Sequence, residues 1–216
     1  MTDTKLWRGL LTRLAPTMPG DWQVRGSGRQ VVLVKQPVEW TVPWLGMTRT
    51  RTTDVPYLMA GVTPLVGPLL GLTAEFRLRS DEVRPRPDYL KVSLSAPEAE
   101  DQVRTFFVND AWPRMQEGTY EGHAARAERQ FAQPVPNRNP PWVFQQAAGW
   151  RVVLGTDSPA EPARQGIEKF GSWGDANNIV AVYQGLIDAW EAGGRPAALV
   201  YLQQQRDATL SRLKLA

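Results

Sequence analysis

Three groups of residues in this 216-residue chain have the types and spacing for chemistry. The first is a carboxylate set, Asp54 with Glu75-Phe76-Arg77. Metal-dependent nucleases place an acid beside a Glu-x-Lys on adjacent strands, where the carboxylates hold a divalent ion. Arginine stands here in the lysine position, and it does not deprotonate near neutral pH. The second is His123, the one histidine of the chain. Sites built on paired histidines are thereby excluded. A serine triad with His123 as base lacks its Gly-x-Ser-x-Gly elbow. With no histidine or cysteine near it, His123 reads as a polar surface or boundary residue. The third group is basic: Arg49, Arg51, Arg77, Arg79, Arg84 and Arg86. Such side chains could contact a polyanion or an acidic partner.

Other chemistries lack their residues. There is no cysteine, so disulfides, thiolate metal sites and cysteine nucleophiles are absent. That suits a reducing cytosol. No EF-hand loop, His-Glu-x-x-His or dinucleotide fingerprint occurs, and Gly26-Ser27-Gly28 is not followed by the Gly-Lys-Ser/Thr of a phosphate loop. The sequence therefore points to no catalytic residue, no metal ligand and no cofactor.

The elements that would carry these residues follow from periodicity. Leu72, Ala74, Phe76 and Leu78 alternate with Thr73, Glu75, Arg77 and Arg79, the period-two pattern of a half-buried strand. Tyr89 to Leu94 repeats it, with Leu90, Val92 and Leu94 inward. Trp22–Arg25 and Arg29–Lys35 read as a hairpin. Val38–Leu45 reads as a further strand, in which Pro43 favours an edge or bulge. Val55 to Leu72 is long enough for a membrane span. Its spread prolines and glycines favour a buried strand and a proline-bounded loop. Met47 to Thr53 alternates threonine and arginine, as an exposed edge would.

Helices flank this strand-rich region. Trp7, Leu10, Leu11 and Leu14 share one face of a leading helix. Ser95 and Glu98 have capping-box spacing, followed by a face of Ala99, Val103, Phe106 and Phe107 that should stop near Trp112, before Pro113. Phe76 and Phe106 are expected on one sheet–helix core. Tyr120, Ala124, Ala127 and Phe131 form the next face. Trp142–Leu154 reads as a helix bent near Gly149, and Ser158 to Glu161 opens another. Gly193-Gly194 stops a further helix, and Pro196 starts the last.

These patterns predict an α+β fold. A leading helix and a largely antiparallel sheet with a packed helix precede a helical C-terminal part. The expected division is an α+β domain over 1–133, a proline-rich linker over 134–141 and a helical subdomain over 142–216, or one continuous fold. Charge divides similarly. Residues 1–95 hold 13 basic and 8 acidic side chains, a net of +5, and residues 96–216 carry a net of −2.

Tyr57-Leu-Met-Ala-Gly-Val-Thr-Pro-Leu-Val-Gly-Pro68, Phe76-Arg-Leu78 and Asp110-Ala-Trp-Pro113 resemble segments of uncharacterised bacterial proteins. In those proteins a strand runs into Pro-Leu-x-x-Pro, then come a short strand and a helix ending in an acid and proline. The resemblance covers about half the chain, implies an α+β domain with a helical tail, and brings no activity.

The resulting functional expectation is a non-enzymatic cytosolic protein that binds another protein, an accessory role consistent with nine tryptophans and a helical half. The alternative is a nucleic-acid-associated protein using the basic first half. Asp54, Glu75, Asp81, Glu82 and Asp88 dilute its field, so binding to nucleic acid is expected to be weak.

Overall fold

A computed structural model describes residues 3–27, 30–48, 57–68, 72, 75–83, 91–133, 140–171 and 176–215. Two compact units emerge. One comprises Met1–Thr63, Gly71–Gly118 and Ser211–Ala216; the other comprises Pro64–Leu70 and Thr119–Leu210. The class is α+β: an amino-terminal helix, a five-stranded antiparallel sheet and then helices. The change of unit at Gly118–Thr119 groups the 120–132 helix with the later helices. Residues 134–139 of the proline-rich stretch lie outside the described residues.

In the first unit, α1 (Asp3–Leu14) buries Trp7, Leu10, Leu11 and Leu14, the face its periodicity specified. The sheet runs in chain order: β1 (Asp21–Arg25), β2 (Val32–Gln36), β3 (Thr41–Thr48), β4 (Tyr57–Pro64) and β5 (Glu75–Arg79). Leu33 pairs with Leu45, while Val24 pairs with Leu33 across the first ladder. Val31, Leu33, Leu45, Leu58, Ala60 and Val62 join α1 in one core. Trp7 fixes α1 to this face through an Nε1–H bond to the Val31 carbonyl at 2.8 Å. Val32, Val34, Val42 and Trp44 are also buried, and Trp44 donates to Thr63 at 2.9 Å. Pro43 therefore lies in the third of five strands rather than at an edge. Its missing donor falls just before the Val34–Trp44 and Leu33–Leu45 pairs.

The expected alternation of β5 is overturned. Ala60 pairs with Leu78, but Val62 pairs with Glu75, so two residues, Phe76 and Arg77, oppose one. That extra residue is a β-bulge, and everything beyond it changes face. Glu75 shares a pair with core residue Val62 and is only 7% exposed, whereas Phe76 is half-buried. Phe76 adopts a left-handed φ of 44°, an unusual conformation for a bulky side chain. Thr73 and Ala74 lie outside the described residues.

The second expected strand also differs. Lys91 to Leu94 form a bend and turn; Tyr89 and Leu90 lie outside the described residues. Val92 is nevertheless buried, and Leu94 packs on the same core. The turn absorbs Ser95 and Pro97, so α2 (Ala99–Phe106) starts after Glu98 with no side-chain cap. Nor does the helix stop at Pro113. A π-helical turn, Phe107–Ala111, joins α2 to α3 (Trp112–Gln116), with proline in the first turn of the new segment. Widening the helix there spares proline an ordinary interior position, where it would clash. Phe107 and Trp112 then meet Trp22, whose ring is edge-on at 5.0 and 5.7 Å.

The second unit contains α4 (Tyr120–Ala132), α5 (Pro141–Leu154), α6 (Ala160–Phe170) and α7 (Ala176–Leu213). Thr119 caps α4 by accepting the Gly122 N–H at 3.0 Å. α5 is continuous through Gly149 rather than bent. A Cβ there would lie 2.5 Å from the Val66 carbonyl oxygen, so glycine permits close approach of two backbones. Gly193 and Gly194 interrupt α7 with non-helical angles, as the sequence indicated. His123 is fully buried, correcting the surface expectation. Its ring stacks on Trp150 with centroids 5.5 Å apart. No helix among the described residues is long and apolar enough to cross a membrane. Leu58 to Val66 instead forms buried strand and the loop after it, apart from half-buried Met59.

Phe106 has no exposed surface. Phe106→Ala should cost about 3–5 kcal/mol, and half-buried Phe76→Ala clearly less; urea unfolding checks the order. Tyr183 is 2% exposed and donates its hydroxyl to the Pro141 carbonyl. Burial pushes its pKa well up, a backbone hydrogen bond partly offsetting this. A raised folded pKa means stability is intact below the unfolded value and is lost as pH rises toward the folded one. Unfolding measured from pH 9 upward should show stability falling above about pH 10, and less steeply in Tyr183→Phe.

Candidate functional site

Of the six candidate arginines, the structure describes Arg77 and Arg79. Arg49, Arg51, Arg84 and Arg86 lie outside the described residues, as does Asp54. Both described arginines sit on β5, directly before a tight turn, Ser80–Glu82, that returns acids to them. Arg79 donates from Nε to Asp81 at 2.8 Å and makes a second bond to it through Nη2. Its guanidinium also lies over the Tyr57 ring, 5.7 Å from the centroid. Arg77 pairs with Glu82 at 3.4 Å. The hydrogen bond from Arg79 holds Asp81 below the usual carboxylate range. This strand end is a local charge pairing, and its field at a distance is correspondingly small.

A second charged centre lies in the helical unit and was not among the sequence candidates. Arg151 interrupts the apolar face of α5, and its side chain is 11% exposed. A guanidinium so far from water needs acceptors on its fork. Glu128 of α4 supplies two, at 2.7 Å to Nε and 3.0 Å to Nη2. Glu161 of α6 accepts from Nη1 at 3.2 Å, with the Ser158 carbonyl at 3.4 Å. The Phe131 ring lies 5.4 Å from the guanidinium carbon. The Glu128 bond leads the causes that raise the Arg151 pKa above its ordinary value, so it is charged at every accessible pH.

The local fold makes this convergence possible. Gly155 ends α5 in the left-handed region at φ 69°. Arg195 then donates to the Val152 and Val153 carbonyls at 2.9 and 2.8 Å, satisfying the helix end. Ser158 starts the next helix by accepting the Ala160 N–H at 3.2 Å, leaving Glu161 free to turn toward Arg151.

Beside Arg151 opens a cleft of about 450 Å³, lined in part by Asp157, Ser158, Glu161, Arg164 and Glu168. Arg164 pairs with Glu191 at 3.1 Å. Asp157 and Glu161 are 68% and 61% exposed, so the rim presents carboxylates to solvent. Among the described residues, no group of three or more His, Asp or Glu could hold a metal ion. The one sequence signal for this site was an arginine within the apolar run Trp142–Leu154, a pattern that calls for acidic partners on neighbouring helices.

Comparison with protein-family models, curated proteins and solved structures found no match to this chain.

Arg151→Lys should lower stability by about 1–3 kcal/mol, because an ammonium cannot reproduce the fork shared by Glu128 and Glu161. Arg164→Ala, which breaks an exposed pair, should change it by no more than about 1 kcal/mol. Parallel urea titrations check the contrast.

Proposed function

We propose that this chain is a non-enzymatic cytosolic protein that binds another protein through the open cleft beside Arg151. The observation that carries the reading is the division of labour among the cleft's charges. Arg151 is consumed by holding three helices together, while Asp157 and Glu161 face water. Such a rim suits a basic segment of a partner, through charge complementarity and steering. The chain's lack of cysteine suits a reducing compartment.

The nucleic-acid reading rests on the +5 balance of residues 1–95. Against it, Arg77 and Arg79 are each held by an acid of the turn that follows them. Each phosphate contact contributes about 0.9 to the logarithmic salt slope, so a few contacts give binding that fades at physiological salt. The likeness to uncharacterised bacterial proteins adds no partner to either reading.

The test is affinity capture from a native-host extract at physiological salt, using the intact chain and an Asp157→Lys, Glu168→Lys double variant. The reading expects one recurrent protein, direct binding to it after purification, and at least tenfold weaker binding by the variant. Equal binding by the variant removes the cleft from the proposal. Submicromolar oligonucleotide binding at that salt, lost in an Arg49→Ala, Arg51→Ala variant, reverses the ranking.

A further inference from the structure

The last residues of the chain do not belong with the helices that precede them. Ser211–Ala216 is part of the amino-terminal unit. Lys214 takes a left-handed φ of 57°, and its N–H bonds to the Ser211 carbonyl at 3.0 Å. That turn aims the Lys214 carbonyl at Gly26, whose N–H donates to it at 3.1 Å. Leu215 follows and is buried, 2% exposed. Gly26 ends β1, and its own carbonyl accepts from Arg8 of α1 at 2.7 Å. Both backbone groups of this one glycine are therefore claimed, one by α1 and one by the chain's end. The position has room only for glycine. Its φ is 80°, and a Cβ would stand 2.1 Å from the Gln30 carbonyl oxygen.

We propose that Ser211–Leu215 is a conformational strap, closed over the end of β1 by one backbone hydrogen bond and one buried leucine, and able to open before the rest of its unit. One hydrogen bond and one apolar side chain form a small cooperative unit beside the sheet ladders, the kind of element that opens locally. Opening uncovers the Gly26 donor and the apolar position that Leu215 fills. The device lies outside the Arg151 cleft and does not depend on the protein-binding proposal.

Amide hydrogen exchange on the full chain, followed residue by residue in water and in sub-denaturing urea, tests it. In the native chain the Gly26 amide should exchange at least tenfold faster than the best protected β2–β3 amides, with weaker urea dependence. Leu215→Ala should accelerate Gly26 at least tenfold and leave the β2–β3 ladder unchanged. Val200→Ala, at a position 53% exposed, should move neither. Gly26 sharing one opening process with the β2–β3 amides overturns the proposal, and so does an unchanged Gly26 rate in Leu215→Ala. Should Leu215→Ala fail to fold, the native-chain comparison decides alone.

Discussion

A charged guanidinium removed from water sets the terms for the helical unit. Arg151 stays ionised at all pH values a protein survives, so it cannot escape burial by neutralising. Its cost must be met by acceptors in fixed places. Those places are Glu128 on one neighbouring helix and Glu161 on another. The spacing of α4, α5 and α6 is thereby tied to the geometry of one planar fork. Apolar packing around α5, from Val143 and Phe144 to Val152, supplies the burial without specifying a register. The fork adds that register, because a shift of one residue on α4 would carry Glu128 about 100° around its helix.

Charge pairing also shapes the strand-bearing unit, at lower stakes. Arg77 and Arg79 project from β5 where solvent reaches both, and their acids follow within the next turn. Screening leaves such pairs a modest role in stability. Their importance is that they determine what the strand end shows to other molecules. A count of arginines overstates the positive field here, because Asp81 and Glu82 are adjacent in space as well as in sequence.

Much of the architecture was legible because burial writes a period into the sequence. The α1 face, the hairpin strands, the two-sided burial of β4 and the glycine stop in α7 all emerged where the pattern placed them. The exceptions share a cause. A bulge at Phe76 adds one residue to one strand and reverses the faces beyond it, and no composition signal marks it. The π turn before Trp112 does the same within a helix, so Pro113 failed as a terminator. The Ser95 cap failed because its residues were used by a preceding turn. At the candidate site, acidic partners for Arg77 and Arg79 were readable at short range. The convergence on Arg151 was not, because Glu128 lies 23 residues away and the pairing arises only when α4 and α5 pack. The closing contact of Lys214 with Gly26 was still less visible, spanning nearly the whole chain.

The π turn at Phe107–Ala111 also governs how this segment tolerates change in length. A π turn amounts to one residue more than an α-helix needs over the same stretch. Removing one residue there would let the chain close into a continuous α-helix without loss of hydrogen-bonding pattern. Yet each residue of an α-helix advances by about 100°, so relaxing the turn rotates everything after it relative to everything before. Ala99, Val103 and Phe106 lie on one side of the turn and Met115 on the other, all buried in the same core. The surplus residue thus works as a phase correction that keeps two stretches of helix facing one interior. Substitutions within the turn can preserve that phase, whereas a single-residue deletion cannot.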